Sequence, residues 1–367
     1  MMLGIALGSG CAGACVVPGR PRDSGNVSHI PANRTALTHS VGRFDLRDPA
    51  GPRFAWPATA IEATFTGVGL DVRLRDRGTN FFAVVIDGGT PTSLATNRAT
   101  ERYELASGLD PGRHTVLLTK RTESNVGVVQ FLGFIPHKGA LVETPEPTTT
   151  RRIEFIGDSV TCGYGDLATD PSEHFNPATE DEASAYGTLT AAALGAQRSV
   201  IAYSGIGMYR DDRGSALEPM PVRFMRSLAD DPTSAWDFRV PAPDVVVVNL
   251  GGNDFAKGDP GAAFQQAYVA FLKVLRTLYP DATIVCALSS MLTDNYPAGA
   301  NSRTKAAEYI RGAVSQRQLA GDGRIFYFVF DEQRPADGFG ADYHPSKATH
   351  RRMAAELVTA LRSRIGW

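Results

Sequence analysis

A serine just past a short apolar run, an amide side chain further on and a histidine near the end of the chain are the parts from which an acyl-transfer site is built. Here they are Ser159, Asn253 and His344. Ser159 closes the stretch Ile153-Glu154-Phe155-Ile156-Gly157-Asp158-Ser159, in which the apolar residues read as a buried strand that Gly157 breaks into a turn. Beyond the carboxyl end of a strand is where an open parallel α/β sheet holds its ligands. A bare hydroxyl is a poor nucleophile, so the chemistry requires a base and donors already aimed at the developing charge. His344 is the expected base, taking the Ser159 Oγ proton and returning it to a leaving alcohol. Asp342 is expected to orient the imidazole and stabilise its charged form. The oxyanion would be held by the N–H of Ser159, the N–H of Gly207 (or Gly205) and the Asn253 amide. Asp158, Tyr209 and Tyr343 stand beside these residues and are the expected substrate-binding side chains. A neutral His344 implies that activity rises through a pKa near about 6.5, shifted upward if Asp342 pairs with it.

Each part also has a purely structural reading. Ser159 could cap a helix, Gly205 and Gly207 could serve turns that need positive φ, Asn253-Asp254 could form an Asx turn, and Asp342 and His344 could cap the last helix. His350 and His174 read as surface residues. It is the order of the four segments, each at a strand end, that points to chemistry. No G-x-S-x-G occurs, which argues against an ordinary α/β-hydrolase elbow.

The elements that must position these residues follow from periodicity. Ile61-Glu62-Ala63-Thr64-Phe65, then Leu70, Val72 and Leu74, then Phe82, Val84 and Ile86 alternate with a period of two, and Asp87-Gly88-Gly89 signals a turn. Two more strands are expected over 114–120 and 126–135, separated by the polar Thr122-Glu123-Ser124-Asn125. Together they predict an antiparallel β-sandwich over 41–138. Trp56 and Tyr103 are nominal sugar platforms there, with core packing the expected role. Pro145 and Pro147 among threonines mark a semi-rigid linker over 139–150. From 151 to 367 strands alternate with helices. Strands are expected at 199–203, 244–250, 282–288 and 325–330. Helices are expected at 184–194, after Asp259-Pro260, at 304–319 and from Ser346. The central run Val245-Val246-Val247-Val248 is apolar on both faces, as a buried parallel strand must be. A β-sandwich followed by a three-layer α/β sheet is the expected architecture.

The four segments resemble the four blocks of SGNH (GDSL-type) hydrolases: G-D-S at 157–159, the glycine after the second strand, G-x-N-D at 251–254 and the terminal histidine. Within that superfamily, G-D-S-V-T-C-G-Y-G, Y-S-G-I-G-M-Y-R and D-Y-H-P-S most resemble carbohydrate esterase family 2. The resemblance covers nearly the whole chain, because those enzymes carry a jelly-roll β-sandwich ahead of the SGNH domain. It implies a serine esterase that removes O-acetyl groups from xylan or mannan, often at the 6-position of a hexose. One departure stands out. Many SGNH enzymes place the acid three residues before the histidine, where this chain has Ala341, and Asp342 lies two before. The alternative to a triad is therefore a Ser159–His344 dyad, with the imidazole held by a backbone carbonyl and Asp342 stabilising its loop. Other readings are a lipase or thioesterase of the same superfamily, or a non-catalytic glycan-binding surface protein.

The 367 residues suffice for two domains, and a net charge of -2 gives no electrostatic footprint for nucleic acid or an anionic membrane. Residues 1–17 are small and apolar without a basic n-region and are too short to span a bilayer; they read as an export or lipoprotein signal remnant, with Cys11 and Cys15 as candidate lipidation sites. Residues 18–40, rich in Pro, Ser, Asn and Thr, read as a tether. A secreted or cell-envelope location follows. The remaining cysteines, Cys162 and Cys286, are expected as buried free thiols. No metal-ligand spacing occurs, so neither metal nor cofactor is expected. The expected partner is an acetylated polysaccharide or oligosaccharide, and a monomer is the expected state.

Overall fold

The structure, a computed structural model, describes residues 37–145 and 149–367. The expected signal remnant with Cys11 and Cys15, most of the tether and linker residues 146–148 lie outside the described residues.

Eight strands build the N-terminal part: β1 (Thr38–Val41), β2 (Arg53–Phe54), β3 (Ala60–Asp76), β4 (Phe81–Ile86), β5 (Thr92–Ala95), β6 (Arg102–Lys120), β7 (Val129–Pro136) and β8 (Leu141–Val142). They form one antiparallel sheet of order β2-β7-β3-β6-β4-β5, with β1 and β8 also pairing with β3. The runs around Phe65 and Leu70 that read as separate strands are one 17-residue strand, facing a β6 of 19 residues. Gly67 (φ +134°) and the register shift between Gly67 and Gly69 mark the break in their pairing. Such irregularities bend and twist a strand, and the sheet curls around Phe54, Phe65, Val72, Leu74, Phe82, Val116 and Leu118. The two faces expected of a sandwich are thus supplied by one curled sheet. Leu141 and Val142, inside the expected linker, still pair with Phe65 and Thr64.

The second sheet is parallel throughout, in the order β10-β9-β11-β12-β13. Its strands are β9 (Arg152–Gly157), β10 (Gln197–Ala202), β11 (Val245–Asn249), β12 (Thr283–Leu288) and β13 (Ile325–Val329). The helices are α1 (Ser159–Cys162), α2 (Tyr186–Ala193), α3 (Met220–Arg223), α4 (Ala262–Leu278), α5 (Ser302–Leu319) and α6 (Lys347–Ile365). Alternation along β11 separates two cores. Val246 and Val248 join Phe264, Phe271, Leu272 and Ile310 of α4 and α5, whereas Val245 and Val247 join Tyr186, Met353 and Leu357 of α2 and α6. The start expected at Asp259-Pro260 falls two residues later: Gly261, whose φ of +66° lets the chain enter α4, is the cap residue, and Asp259 Oδ1 accepts from its N–H in the turn before the helix. Ser346 caps α6 through Thr349 N–H.

The two sheets meet through buried side chains. Trp56 is fully buried among catalytic-region residues such as Met220 and Phe224. Arg43 lies 4.5 Å over the Phe224 ring and 3.3 Å from Glu154, which also accepts from Tyr279 Oη. Tyr103 packs as a core residue with its hydroxyl on the Thr100 carbonyl.

Candidate active site

Ser159 is the first residue of α1, directly after β9. Asp158 takes the extended cap conformation and accepts from Val160 N–H at 3.1 Å, and this turns the Ser159 side chain out of the strand line. A Cβ on Gly157 would sit 2.0 Å from Thr161 Oγ1, so only glycine allows so abrupt a turn. Asp158, expected to touch substrate, is 3% exposed and acts as this cap; burial raises its carboxyl pKa to about 7.

His344 arrives from the far end of the chain and places Nε2 2.9 Å from Ser159 Oγ. Its Nδ1 lies 3.0 Å from the Ala341 carbonyl oxygen. A carbonyl can only accept, so Nδ1 carries the hydrogen and Nε2 presents a lone pair to the serine hydroxyl. Asp342 does not occupy the orienting position expected of it. Its backbone lies in the left-handed region (φ +50°, ψ +36°), which turns the carboxylate away from the imidazole. One oxygen accepts from Tyr164 Oη at 2.6 Å and the other lies 2.7 Å from His174 Nδ1. Tyr343 is also left-handed (φ +58°). Two consecutive non-glycine residues in that region persist only where their surroundings hold them. Here the bonds Asp342 N–H to Glu173 carbonyl, Gly340 N–H to His344 carbonyl and His344 N–H to Ala341 carbonyl do so.

Burial is the largest influence on His344 and pushes its pKa down to about 4, against the raising effects of the Ala341 carbonyl and the Asp342 charge. The ring is half-buried by surface yet closely packed, with Tyr164 stacked on one face at 4.1 Å between ring centres. The upward shift expected from an Asp342 pair is therefore replaced by a downward one.

The loop after β10 carries Gly205 and Gly207. A Cβ on Gly207 would fall 2.2 Å from the Arg210 carbonyl and 2.3 Å from Asp254 Oδ2. Asp254, buried after β11, accepts from the N–H groups of Met208, Tyr209 and Arg210 at 2.7–2.9 Å, which shapes the loop around Gly207. Its pKa is raised to about 6, because desolvation outweighs those donors. The neighbouring Asn253 donates one amide hydrogen to the Ile206 carbonyl at 3.1 Å. Tyr209 is half-buried beside this turn, and Tyr343 is 59% exposed with its ring tilted against Phe339.

Two histidines read as surface residues fall out differently. His174 is exposed but engages Asp342. His350 is fully buried, accepting Tyr186 N–H on Nδ1; α6 turns that face onto α2, where the packing excludes water. Cys162 and Cys286 are buried free thiols. Among the described residues, one grouping has metal-ligand chemistry: Glu123, Cys162 and Glu180, all buried. Burial raises the pKa of both carboxyls and of the Cys162 thiol and lowers that of Lys120, whose charge acts on both glutamates, so the grouping is a buried, hydrogen-bonded cluster in which desolvation favours the neutral forms. Tyr164 and Glu123 are the site neighbours that sequence reasoning missed. The Gly163-Tyr164-Gly165 triplet, with positive φ at both glycines, is the signal that could have marked the first. No local pattern marks the second.

A strand-end serine bonded to a histidine from the chain's last loop, on a five-stranded parallel sheet, is an arrangement of the GDSL type. Family profiles agree: residues 155–352 match the GDSL-like Lipase/Acylhydrolase family and residues 40–145 match Carbohydrate esterase 2 N-terminal. The chain belongs to carbohydrate esterase family 2. It is 37% identical over 329 residues to Cellulase/esterase CelE of Acetivibrio thermocellus, a match spanning 89% of this chain and 39% of that protein. The chain thus spans well under half the length of that relative. It is 29% identical to an acetylxylan esterase / glucomannan deacetylase of Cellvibrio japonicus, over 89% of this chain and 88% of the relative. Its fold matches a family two carbohydrate esterase from Clostridium thermocellum in complex with cellohexaose, with a TM-score of 0.84, 36% identity, and 90% and 99% of the two chains covered. Among the described residues no helix is long and apolar enough to cross a membrane.

Proposed function

We propose that this protein is a serine esterase that removes O-acetyl groups from cell-wall polysaccharides such as xylan and mannan, including 6-O-acetyl hexose, and that it works outside the cell, where such polymers are found. The observation that carries the reading is the relay from Ser159 Oγ through the His344 imidazole to the Ala341 carbonyl, at 2.9 and 3.0 Å. Ser159 Oγ attacks the acetyl carbon while Nε2 takes its proton. The tetrahedral oxyanion is met by the Ser159 N–H, the Gly207 (or Gly205) N–H and the second amide hydrogen of Asn253. On collapse, the imidazolium protonates the departing sugar oxygen, leaving acetyl-Ser159. Water, deprotonated by the same Nε2, then releases acetate and restores the hydroxyl. A dyad suffices, because the carbonyl fixes the tautomer without adding a charge.

The names of the relatives, an acetylxylan esterase / glucomannan deacetylase and a cellulase/esterase, support a polysaccharide acetyl ester as substrate. Acetate release from acetylated xylan, glucomannan and cello-oligosaccharides, measured side by side, tests the assignment. Ser159→Ala is expected to abolish release from all three. A preference for p-nitrophenyl octanoate over the acetate would instead indicate the lipase or thioesterase reading, and undiminished acetate release by Ser159→Ala would overturn the mechanism.

A further inference from the structure

Two loops must keep a fixed separation for the proposed oxyanion site to work: the turn into α1, which carries Ser159, and the turn after β10, which carries Gly205 and Gly207. The second begins as a tight turn in which Ile206 N–H bonds to the Tyr203 carbonyl, with Ser204 and Gly205 (φ +79°) at its corner. That corner is gripped from the other sheet. Glu123, in the segment joining β6 to β7, accepts Ser204 N–H on Oε2 at 2.7 Å and Ser204 Oγ–H on Oε1 at 2.6 Å. The same Oε2 is approached at 3.8 Å by the Cys162 thiol, at the end of α1. One carboxylate therefore touches both catalytic loops while belonging to neither.

Glu123 is itself held on all sides and fully buried. Its N–H donates to Glu180 Oε2 at 3.0 Å, and its carbonyl accepts from Lys120 Nζ at 2.9 Å. Arg121, two residues before it, pairs with Asp181 at 2.8 Å and donates to the Glu180 carbonyl. A bidentate acceptor with no rotational freedom sets distance as well as contact.

We propose that Glu123 is a positioning residue: supplied by the N-terminal sheet, it fixes the Ser204-Gly205 corner relative to the Ser159 helix and so holds the oxyanion donors at their working distance. This inference rests on the esterase reading above. It makes the N-terminal sheet a structural component of the hydrolytic site as well as its neighbour.

The experiment compares Glu123→Ala, Glu123→Gln and Ser204→Ala in the full chain, with p-nitrophenyl acetate kinetics and circular dichroism to establish folding. A glutamine can accept Ser204 N–H through its carbonyl oxygen and donate to Ser204 Oγ through its amide, so it keeps the grip without the charge. Misplacing reacting groups by about 1 Å costs on the order of 10²-fold. On that scale Glu123→Ala is expected to lower kcat by roughly 30-fold or more with KM within about twofold, and Glu123→Gln to recover most of the loss. Ser204→Ala, which loses one of the two bonds, is expected to fall between them. A folded Glu123→Ala with near-normal kcat, or a Gln variant as impaired as Ala, overturns the proposal. If Glu123→Ala does not fold, Ser204→Ala decides: a lower kcat at constant KM supports the proposal, and an unchanged kcat refutes it. Ser159→Ala runs alongside as the separate test of the esterase reading. If it abolishes turnover while the Glu123 and Ser204 variants are indifferent, only the positioning role fails.

Discussion

Replacing Asp342 with Asn separates the relay described here from a catalytic triad. Where a carboxylate orients a catalytic histidine, conversion to the amide costs on the order of 10⁴ in kcat, because it imposes the wrong tautomer. In this site the tautomer is set by the Ala341 carbonyl at 3.0 Å, which the substitution leaves in place. What Asp342 contributes is its bond to Tyr164 Oη at 2.6 Å and its contact with His174, whose side chain is 88% exposed. The His174 contact is solvent-screened and worth little. The Tyr164 bond is charge-assisted and stabilises by about 1.5–3 kcal/mol at most. An asparagine oxygen still accepts that bond, so the change sacrifices only about half of its strength, and what reaches the base is the part transmitted through the Tyr164–His344 stack together with the field of the Asp342 charge. The expected loss in kcat is therefore within about tenfold, equivalent to roughly 1.4 kcal/mol. Initial rates on p-nitrophenyl acetate and on acetylated xylan, across a range of pH, provide the assay. A fall of 10³-fold or more at saturating substrate would show that the carboxylate reaches the imidazole during turnover and would refute the carbonyl-held base.

Other expectations follow from the same geometry. As the proposed base, His344 can act only when neutral, and burial lowers its pKa to about 4, so kcat/KM should hold its plateau through pH 6 and fall only as pH approaches about 4; a half-maximal point above 6.5 would contradict this. Asn253→Ala removes a side-chain donor and should cost about 3–4 kcal/mol of transition-state stabilisation, seen as a 10²–10³-fold lower kcat with little change in KM. Stability should increase as pH falls from about 7.5 to 6.5, because the buried carboxyls of Asp158 and Glu182 (about 7) and Asp166 (about 9) take up protons in the folded state that the unfolded chain does not bind there. Below that window the depressed histidines His344 and His350 oppose the trend, and above about 8 the depressed Lys120 does. A melting temperature that rises from pH 6.5 to 7.5 would reverse the sign.

The serine, the amide and the histidine could be read from sequence because each follows a run whose period already marks it as a strand end or loop. β9 and β11, of six and five residues, carry the apolar residues Ile153, Phe155 and Ile156 and the run Val245–Val248, each followed within a few residues by glycine, and that pattern survives without coordinates. The direction of Asp342 depends on a left-handed backbone at two consecutive residues; aspartate tolerates that region, but nothing in the type of Tyr343 signals it. His350 looks like a polar helix residue until α2 is packed against its face. Glu123 is harder still. Four polar residues between two strands look like a solvated turn, and only the docking of one sheet against the other turns 122–124 into buried structure.

The same docking has a consequence for how the chain can be divided. A fragment beginning at the parallel sheet would bare the hydrophobic bed of Trp56, leave Glu154 without its guanidinium partner and empty the place of the Glu123 carboxylate. Such a piece should precipitate or behave as a loosened globule even though its own sheet is complete. The smallest transplantable module is accordingly both sheets together.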